Sequence, residues 1–180
     1  MTEQRAIEGC KKGDRISQKH LFDAYADNML LLCMRYVRVV PDAEEVMLNG
    51  FYKFLKSIDT FVYNGSGSVG AWMKKIMVNE CLMFLRKKKE LRIADETYAE
   101  QVSTNDDPLM KMNAAEILKL VMQLPTGYRT VFNLYAIEGY SHKEIAAELS
   151  ITEGTSKSQL SKARVMLQKE LQKTGVYDEK

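Results

Sequence analysis

The chain has 180 residues, 46% of them hydrophobic and 28% charged, enough apolar material for real cores in one large or two small domains. The longest apolar run, Met29 to Met34, is far too short to span a bilayer, and no signal peptide opens the sequence. A net charge of +2 does not argue for nucleic acid by itself, so that case rests on where the charges lie.

In chain order, Leu21, Phe22, Tyr25, Met29, Cys33, Tyr36 and Val37 recur at helical spacing and mark one buried face, with Pro41 expected to stop the helix. Asp42 is expected to cap the next helix, with Glu45 three residues on as in a capping box. That helix buries Met47, Phe51, Phe54 and Ile58 and turns Asp42, Glu45, Asn49 and Tyr52 outward. A polar, glycine-bearing loop, Asp59 to Ser68, carries Phe61 and Tyr63. The following helix runs from Ser68 to about Lys89, with Trp72, Ile76 and Met83 among its apolar positions and the basic block Arg86, Lys87, Lys88, Lys89 at its end. Periodicity then fades. Residues 94–107 are polar and acid-leaning, and the run from Ser103 to Pro108 is a breaker. A helix resumes after Pro108 and ends near Leu124 and Pro125. Strand signals are almost absent. The expected architecture is all-α, with two small helical domains at 1–92 and 113–180 and a flexible linker over 93–112.

Residues 124–171 have the most explicit grammar. Gly139 follows the periodic run Val131, Phe132, Leu134, Tyr135 and suits the left-handed residue that ends a helix. Ser141 stands three residues before Glu144, the spacing of a capping box. The short helix from His142 to Leu149 is expected to bury Ile145, Ala146 and Leu149. Ser150 and Ile151 leave room only for a sharp reversal, and Thr152 is a good N-cap for the last helix. There Leu160, Ala163, Leu167 and Leu171 form an inward stripe, with Ser158, Ser161, Lys162, Val165 and Lys169 roughly opposite. This is a helix-turn-helix. Thr155, Lys157 and Gln159 lie near the N-terminal end of its second helix, the part that reaches base edges in such units.

Catalytic constellations are missing from the sequence. His20 and His142 are isolated, and the stretch from Asn64 to Ser68 lacks the lysine and preceding strand of a phosphate loop. Asp106 and Asp107 suit a solvated linker better than a cation site. The cysteines, Cys10, Cys33 and Cys81, are widely spaced with no CxxC, which fits a reducing cytosol, and Cys33 and Cys81 sit in apolar helical patterns that suit buried thiols. No enzyme activity, metal or cofactor is therefore expected. Two nucleic-acid surfaces are expected instead. One is the last helix. The other combines Phe61, Tyr63 and Trp72 with Lys74, Lys75, Asn79 and Arg86, because aromatic rings beside cations suit unstacked single-stranded bases. Trp72 serves equally well as core.

The blocks DAEEVMLNGFYKFLKSIDTF, GAWMKKIMVNECLMFLRKKK and LPTGYRTVFNLYAIEGYSHKEIAAEL followed by ITEGTSKSQLSKAR, in this order, resemble a bacterial sigma factor of the sigma-70 family, extracytoplasmic-function (ECF) group. The resemblance runs from about Leu21 to Leu171. It implies that the first domain corresponds to region 2, docking on the clamp helices of core RNA polymerase through Asp42, Glu45, Leu48, Asn49 and Tyr52. It further implies that Phe61, Tyr63, Asn64, Trp72, Lys75, Asn79 and Arg86 hold the single strand of the −10 element. The second domain corresponds to region 4, which works at the polymerase flap. Its recognition helix would read the −35 element through Thr155, Lys157, Ser158, Gln159 and Lys162, with Arg164 as a phosphate contact or a brace. Promoter DNA and an anti-sigma factor are the other implied partners, and the implied location is the cytoplasm. The chain departs from the family pattern at four places. Leu48 stands where Gln is frequent, Ser150 replaces the usual turn Gly, Ser156 replaces an apolar residue, and Gln159 stands where Arg is frequent. The polar Ser156 is expected to weaken the unit by on the order of 1–2 kcal/mol of lost burial. The competing reading is a stand-alone helix-turn-helix regulator with a helical dimerisation or sensing domain, followed by a protein-binding adaptor.

Overall fold

The computed structural model describes residues 1–88 and 114–173. The linker expected over 93–112, the boundaries at either side of it, Lys89 and the Asp106–Asp107 pair lie outside the described residues. All regular structure among the described residues is helical. The chain divides into two compact units, with the division after Lys88.

The first unit is a bundle of helices α1 (Glu3–Lys11), α2 (Arg15–Val37), α3 (Val40–Lys56) and α4 (Ser68–Lys87). Helix α1 was not expected from the sequence. Thr2 caps it, accepting from the Arg5 N–H, and it buries Ala6, Ile7 and Cys10 against α2. Asp14 caps α2 through the Ile16 and Ser17 N–H groups. Helices α2, α3 and α4 pack pairwise around fully enclosed Leu21, Cys33, Tyr36, Phe54, Met73, Met77, Cys81 and Leu85. Gly50 is what lets α3 and α4 approach. A Cβ there would sit 2.3 Å from the Met77 sulfur, well inside the roughly 3.5–4.0 Å of ordinary contact. All three cysteines are buried and free, as expected of Cys33 and Cys81.

The start of α3 differs from expectation. Pro41 does not end α2; it occupies the first turn of α3, where its missing N–H costs nothing. The reversal is made earlier, at Arg38 (φ 71°, ψ −42°), across which the Val39 N–H reaches Val37 O at 3.0 Å, close to a γ-turn. Val39, which has no side chain able to cap, is the N-cap. Asp42 lies one turn in and pairs with Lys88 at 2.6 Å, so its expected capping role is replaced by an ion pair across the unit. Met83, one of the apolar positions of α4, is 51% exposed, because the stripe of α4 that faces inward is Met73, Met77, Cys81 and Leu85.

The second unit holds α5 (Ala114–Gln123), α6 (Thr126–Phe132), a π turn (Asn133–Ile137), α7 (His142–Leu149) and α8 (Glu153–Lys173). Helix α8 packs on α5, α6 and α7 through Leu160, Ala163, Leu167 and Leu171, all buried, as the periodicity predicts. Arg129 was not singled out in the sequence. It is 1% exposed and donates to Leu124 O at 2.7 Å, satisfying a carbonyl freed where α5 ends and a charge that burial would otherwise penalise. The π turn was also unanticipated. The Glu138 N–H bonds Asn133 O, the i→i+5 pattern often found at functional sites. Gly139 follows at φ 78°, in the left-handed region expected of it.

Candidate nucleic-acid interface

The helix-turn-helix forms as its caps dictate. Ser141 Oγ accepts from the Glu144 N–H at 3.2 Å, and the Glu144 carboxylate accepts from the Ser141 N–H at 2.8 Å, a closed capping box. The Ser141 N–H bond first, and second a bond donated by the Ser141 hydroxyl to the same carboxylate at 2.7 Å, hold the Glu144 carboxyl below its usual pKa. Ile145 and Leu149 are buried on α7, whereas Ala146 is half-buried. Ser150 takes the left-handed conformation (φ 55°, ψ 45°) that the family's glycine would adopt without strain. Thr152 Oγ1 then accepts from the Thr155 N–H at 3.0 Å and starts α8.

On α8 the expected base-reading residues divide. Lys157 and Arg164 are exposed. Thr155, Ser158 and Lys162 are half-buried. The Thr155 hydroxyl lies 2.9 Å from that of Thr152, and the Ser158 hydroxyl donates to Thr155 O at 3.1 Å. The Lys162 ammonium lies 6.0 Å from the Tyr128 ring centre, and the Arg164 guanidinium 6.0 Å from that of Tyr135. Gln159 differs from expectation. Only 5% exposed, it lies one turn after Ser156 on the inward side, and its Oε1 is enclosed without a hydrogen-bond partner. The side chain points into the unit rather than toward a groove.

Ser156 is fully buried, as expected of the position, but its polarity is matched. Its hydroxyl lies 2.9 Å from Nδ1 of His142, whose ring stacks on Tyr135 at 4.5 Å and 22°. The isolated histidine of the sequence thus has a partner, and the unit is spared the unpaired buried hydroxyl that the substitution alone would suggest. Partial burial, and next the Lys157 charge, push the His142 pKa down; Glu153 opposes and Arg164 adds to the fall.

In the first unit, Trp72, Lys75, Asn79 and Arg86 follow one another at helical spacing along one side of α4, and the last three are exposed. The loop before α4 brings the aromatics close, though not as free platforms. Phe61 is 8% exposed and stacks on Trp72 at 4.6 Å and 13°, while Trp72 tilts against Phe54 at 5.0 Å. Phe61 therefore supports the tryptophan from below, a correction to its expected role as a base platform. Tyr63 is half-buried and Asn64 exposed, the latter tied by its N–H to Ser68 Oγ at 3.3 Å. Lys11 of the unexpected helix α1 donates to Phe61 O at 2.7 Å and so anchors the loop, a role no local pattern around Lys11 announces. On α3, Glu45, Leu48, Asn49 and Tyr52 are exposed along one side and Asp42 is half-buried. Leu48 and Tyr52 are 54% and 64% exposed, large apolar surface on an otherwise polar helix face.

Among the described residues no helix is long and apolar enough to cross a membrane. Residues 21–90 match the family model described as Sigma-70 region 2, and residues 114–167 match Sigma-70, region 4. Together the two matches cover more than half of the chain, one in each unit. The chain is 29% identical to the ECF RNA polymerase sigma factor SigW of Bacillus subtilis over 95% of this chain and 97% of that protein. It is 27% identical to the ECF RNA polymerase sigma-E factor of Haemophilus influenzae over 96% of each. Its fold resembles that of the sigma factor RpoE from Bartonella quintana, solved in complex with the anti-sigma factor NepR, with a TM-score of 0.51, 22% identity and coverage of 86% of this chain and 96% of that one. With a region 2 unit and a region 4 unit in the family's order, the chain belongs to the sigma-70 family, as a member of its extracytoplasmic-function group.

Proposed function

We propose that this ECF sigma factor binds core RNA polymerase through the α3 face of Asp42, Glu45, Leu48, Asn49 and Tyr52. In the same proposal it holds the opened −10 strand along Tyr63, Asn64, Trp72, Lys75, Asn79 and Arg86, and reads the −35 element with Thr155, Lys157, Ser158 and Lys162. The observation that carries this reading is that these residues stay at least partly exposed over closed cores, the polymerase set along one side of α3 and the −10 set along one side of α4 and its preceding loop, while Thr155, Ser158 and Lys162 share one side of α8 and Lys157 takes the neighbouring one. Cations beside a half-buried tryptophan suit a single strand, and a flipped base needs only a few kcal/mol of unstacking to be met by protein contacts. The first turns of α8 suit a major groove. The exposed apolar pair Leu48 and Tyr52 suits a protein partner better than DNA. The chain does no chemistry of its own in this reading and works in the cytoplasm, where an anti-sigma factor that covers these faces would hold it inactive.

The decisive experiment is transcription in vitro with core polymerase and a pool of genomic fragments, with and without the protein. Promoter-dependent transcripts are expected only with it, and their absence from the whole pool overturns the proposal. The double variant Lys157→Glu, Lys162→Glu should bind core polymerase normally while losing initiation at −35-dependent promoters.

A further inference from the structure

Beside the helix-turn-helix lies a cavity of about 190 Å³, where a single water needs only roughly 10–15 Å³. Its wall on α8 includes apolar Leu160 and Val165 and the polar row Lys157, Ser161, Arg164 and Gln168, the last four spaced four, three and four residues apart and so on one side of the helix. His142, the first residue of α7, and Tyr135 of the π turn close the other side. No lining residue is acidic. Two cations, a hydroxyl, an amide and an imidazole converge on a space that nothing in the fold fills. This side of α8 is adjacent to the buried stripe and distinct from the side that carries Thr155, Ser158 and Lys162.

The geometry points to a phosphodiester seat: Lys157 and Arg164, with the His142 imidazole beside them, receive one backbone phosphate of duplex DNA, and the seated phosphate draws a proton onto His142. This rests on the reading of α8 as a duplex-binding helix, to which phosphate contact by Lys157 and Arg164 already belongs; what is added is the place of His142 in the seat and the proton it takes up. In a helix-turn-helix the first helix crosses the backbone while the second enters the groove, and His142 opens that first helix. Phosphate contacts set register and orientation and leave sequence choice to other side chains.

The proton follows from the groups that face the ring. In the free protein burial, Lys157 and Arg164 favour neutral imidazole, with Glu153 of α8 as the one opposing carboxylate. Tyr135, from the π turn, offers a ring face, and Ser156 a hydroxyl that can donate to or accept from Nδ1. A phosphate anion offsets both cations and favours imidazolium. The bound pKa is then higher than the free one. The extra affinity is complete below the free pKa and is lost as pH rises through the bound pKa.

The test uses the full chain and a short mixed-sequence duplex at low salt, with inorganic phosphate at matched ionic strength as the second arm. The chain has two histidines, so a His20→Gln background leaves the ring signals of His142 alone in an NMR titration. Saturating duplex is expected to move that titration to higher pH. Duplex affinity should be roughly three- to tenfold tighter near pH 5.5 than near pH 7.5, since one unit of pKa shift corresponds to a factor of ten. His142→Gln, which keeps a hydrogen-bonding group for Ser156, should flatten this dependence while still binding at the higher pH. Arg164→Gln should lower the slope of log affinity against log salt by about 0.9, the share of one phosphate. Duplex binding with an unmoved His142 titration overturns the seat and leaves the duplex reading of α8 standing. A titration moved by inorganic phosphate and not by duplex overturns the DNA assignment in favour of a free-anion site. No duplex binding at any salt overturns the reading of α8 itself, and the seat with it.

Discussion

Ser156→Ala isolates the polar pair inside the helix-turn-helix. Ser156 is fully buried, and its hydroxyl lies 2.9 Å from the His142 imidazole. Alanine differs from serine by the hydroxyl alone, so the change opens almost no cavity and mainly removes one hydrogen bond. Such a bond contributes about 0.5–1.5 kcal/mol net. His142 is half-buried and its freed nitrogen can partly rehydrate, which places the expected loss near 1 kcal/mol. For a unit of this size that lowers the melting temperature by about 4–8 °C. The assay has a built-in control. The single tryptophan, Trp72, lies in the first unit, so its fluorescence follows that unit, while far-UV circular dichroism sees both. The later-assigned transition in circular dichroism should move and the tryptophan transition should not; two units unfolding apart forbid a single two-state fit to the whole chain. In a His142→Phe background the same substitution should cost nothing further, giving a coupling of about 1 kcal/mol in the double-mutant cycle. Strict additivity of the two changes, or a shift in the tryptophan transition, would refute the reasoning.

Four other outcomes follow from the structure. Ser141→Ala opens the capping box and should destabilise the second unit by about 1 kcal/mol, read by urea denaturation; the Glu144 pKa is depressed, so the stabilisation present above its unfolded value of 4.5 fades as pH falls through the folded value, and a flat acid limb would contradict this. Gly50→Ala places a methyl 2.3 Å from an enclosed Met77 sulfur; the overpacking cost of about 1–3 kcal/mol exceeds the roughly 1 kcal/mol gained in helix propensity, and a clear rise in the tryptophan-monitored midpoint would show that α3 and α4 can separate freely. Ser150→Gly relieves a left-handed backbone worth about 1–2 kcal/mol against about 0.4–1 kcal/mol of added unfolded-state freedom, so hydrogen exchange in α7 should slow or stay level; faster exchange counts against strain at the turn. Leu48→Asp changes an exposed side chain and should leave melting within about 0.5 kcal/mol while weakening co-purification with core polymerase, and undiminished binding would remove Leu48 from the docking face.

The second unit was largely legible because its signals are local. Ser141 with Glu144, Gly139, Thr152 and the stripe Leu160, Ala163, Leu167, Leu171 each act within one helical turn. Gln159 was misread although the same arithmetic contained it: three residues after buried Ser156, it shares the inward side, and the family's frequent arginine there suggested a groove contact instead. Phe61 was misread for a different reason. A loop aromatic has no periodicity, and only the packed Trp72 face decides that it supports rather than receives. Helix α1 carries just three inward residues, Ala6, Ile7 and Cys10, too few to stand out, and the pairing of His142 with Ser156 spans a turn whose geometry no spacing rule supplies.

The ion pair between Lys88 and Asp42 has a meaning for traffic along the chain. Lys88 is the C-cap of α4, the place from which the polypeptide leaves the first unit, and Asp42 belongs to the helix that in our proposal meets the polymerase. The end of α4 is therefore moored to α3 by a contact worth at most about 1 kcal/mol at such exposure. A partner that brings its own cation to Asp42 casts that mooring off at little cost. The last turn of α4 then parts from α3, and in the proposed docking the state of this one ion pair reports, at the far end of α4, that α3 is occupied.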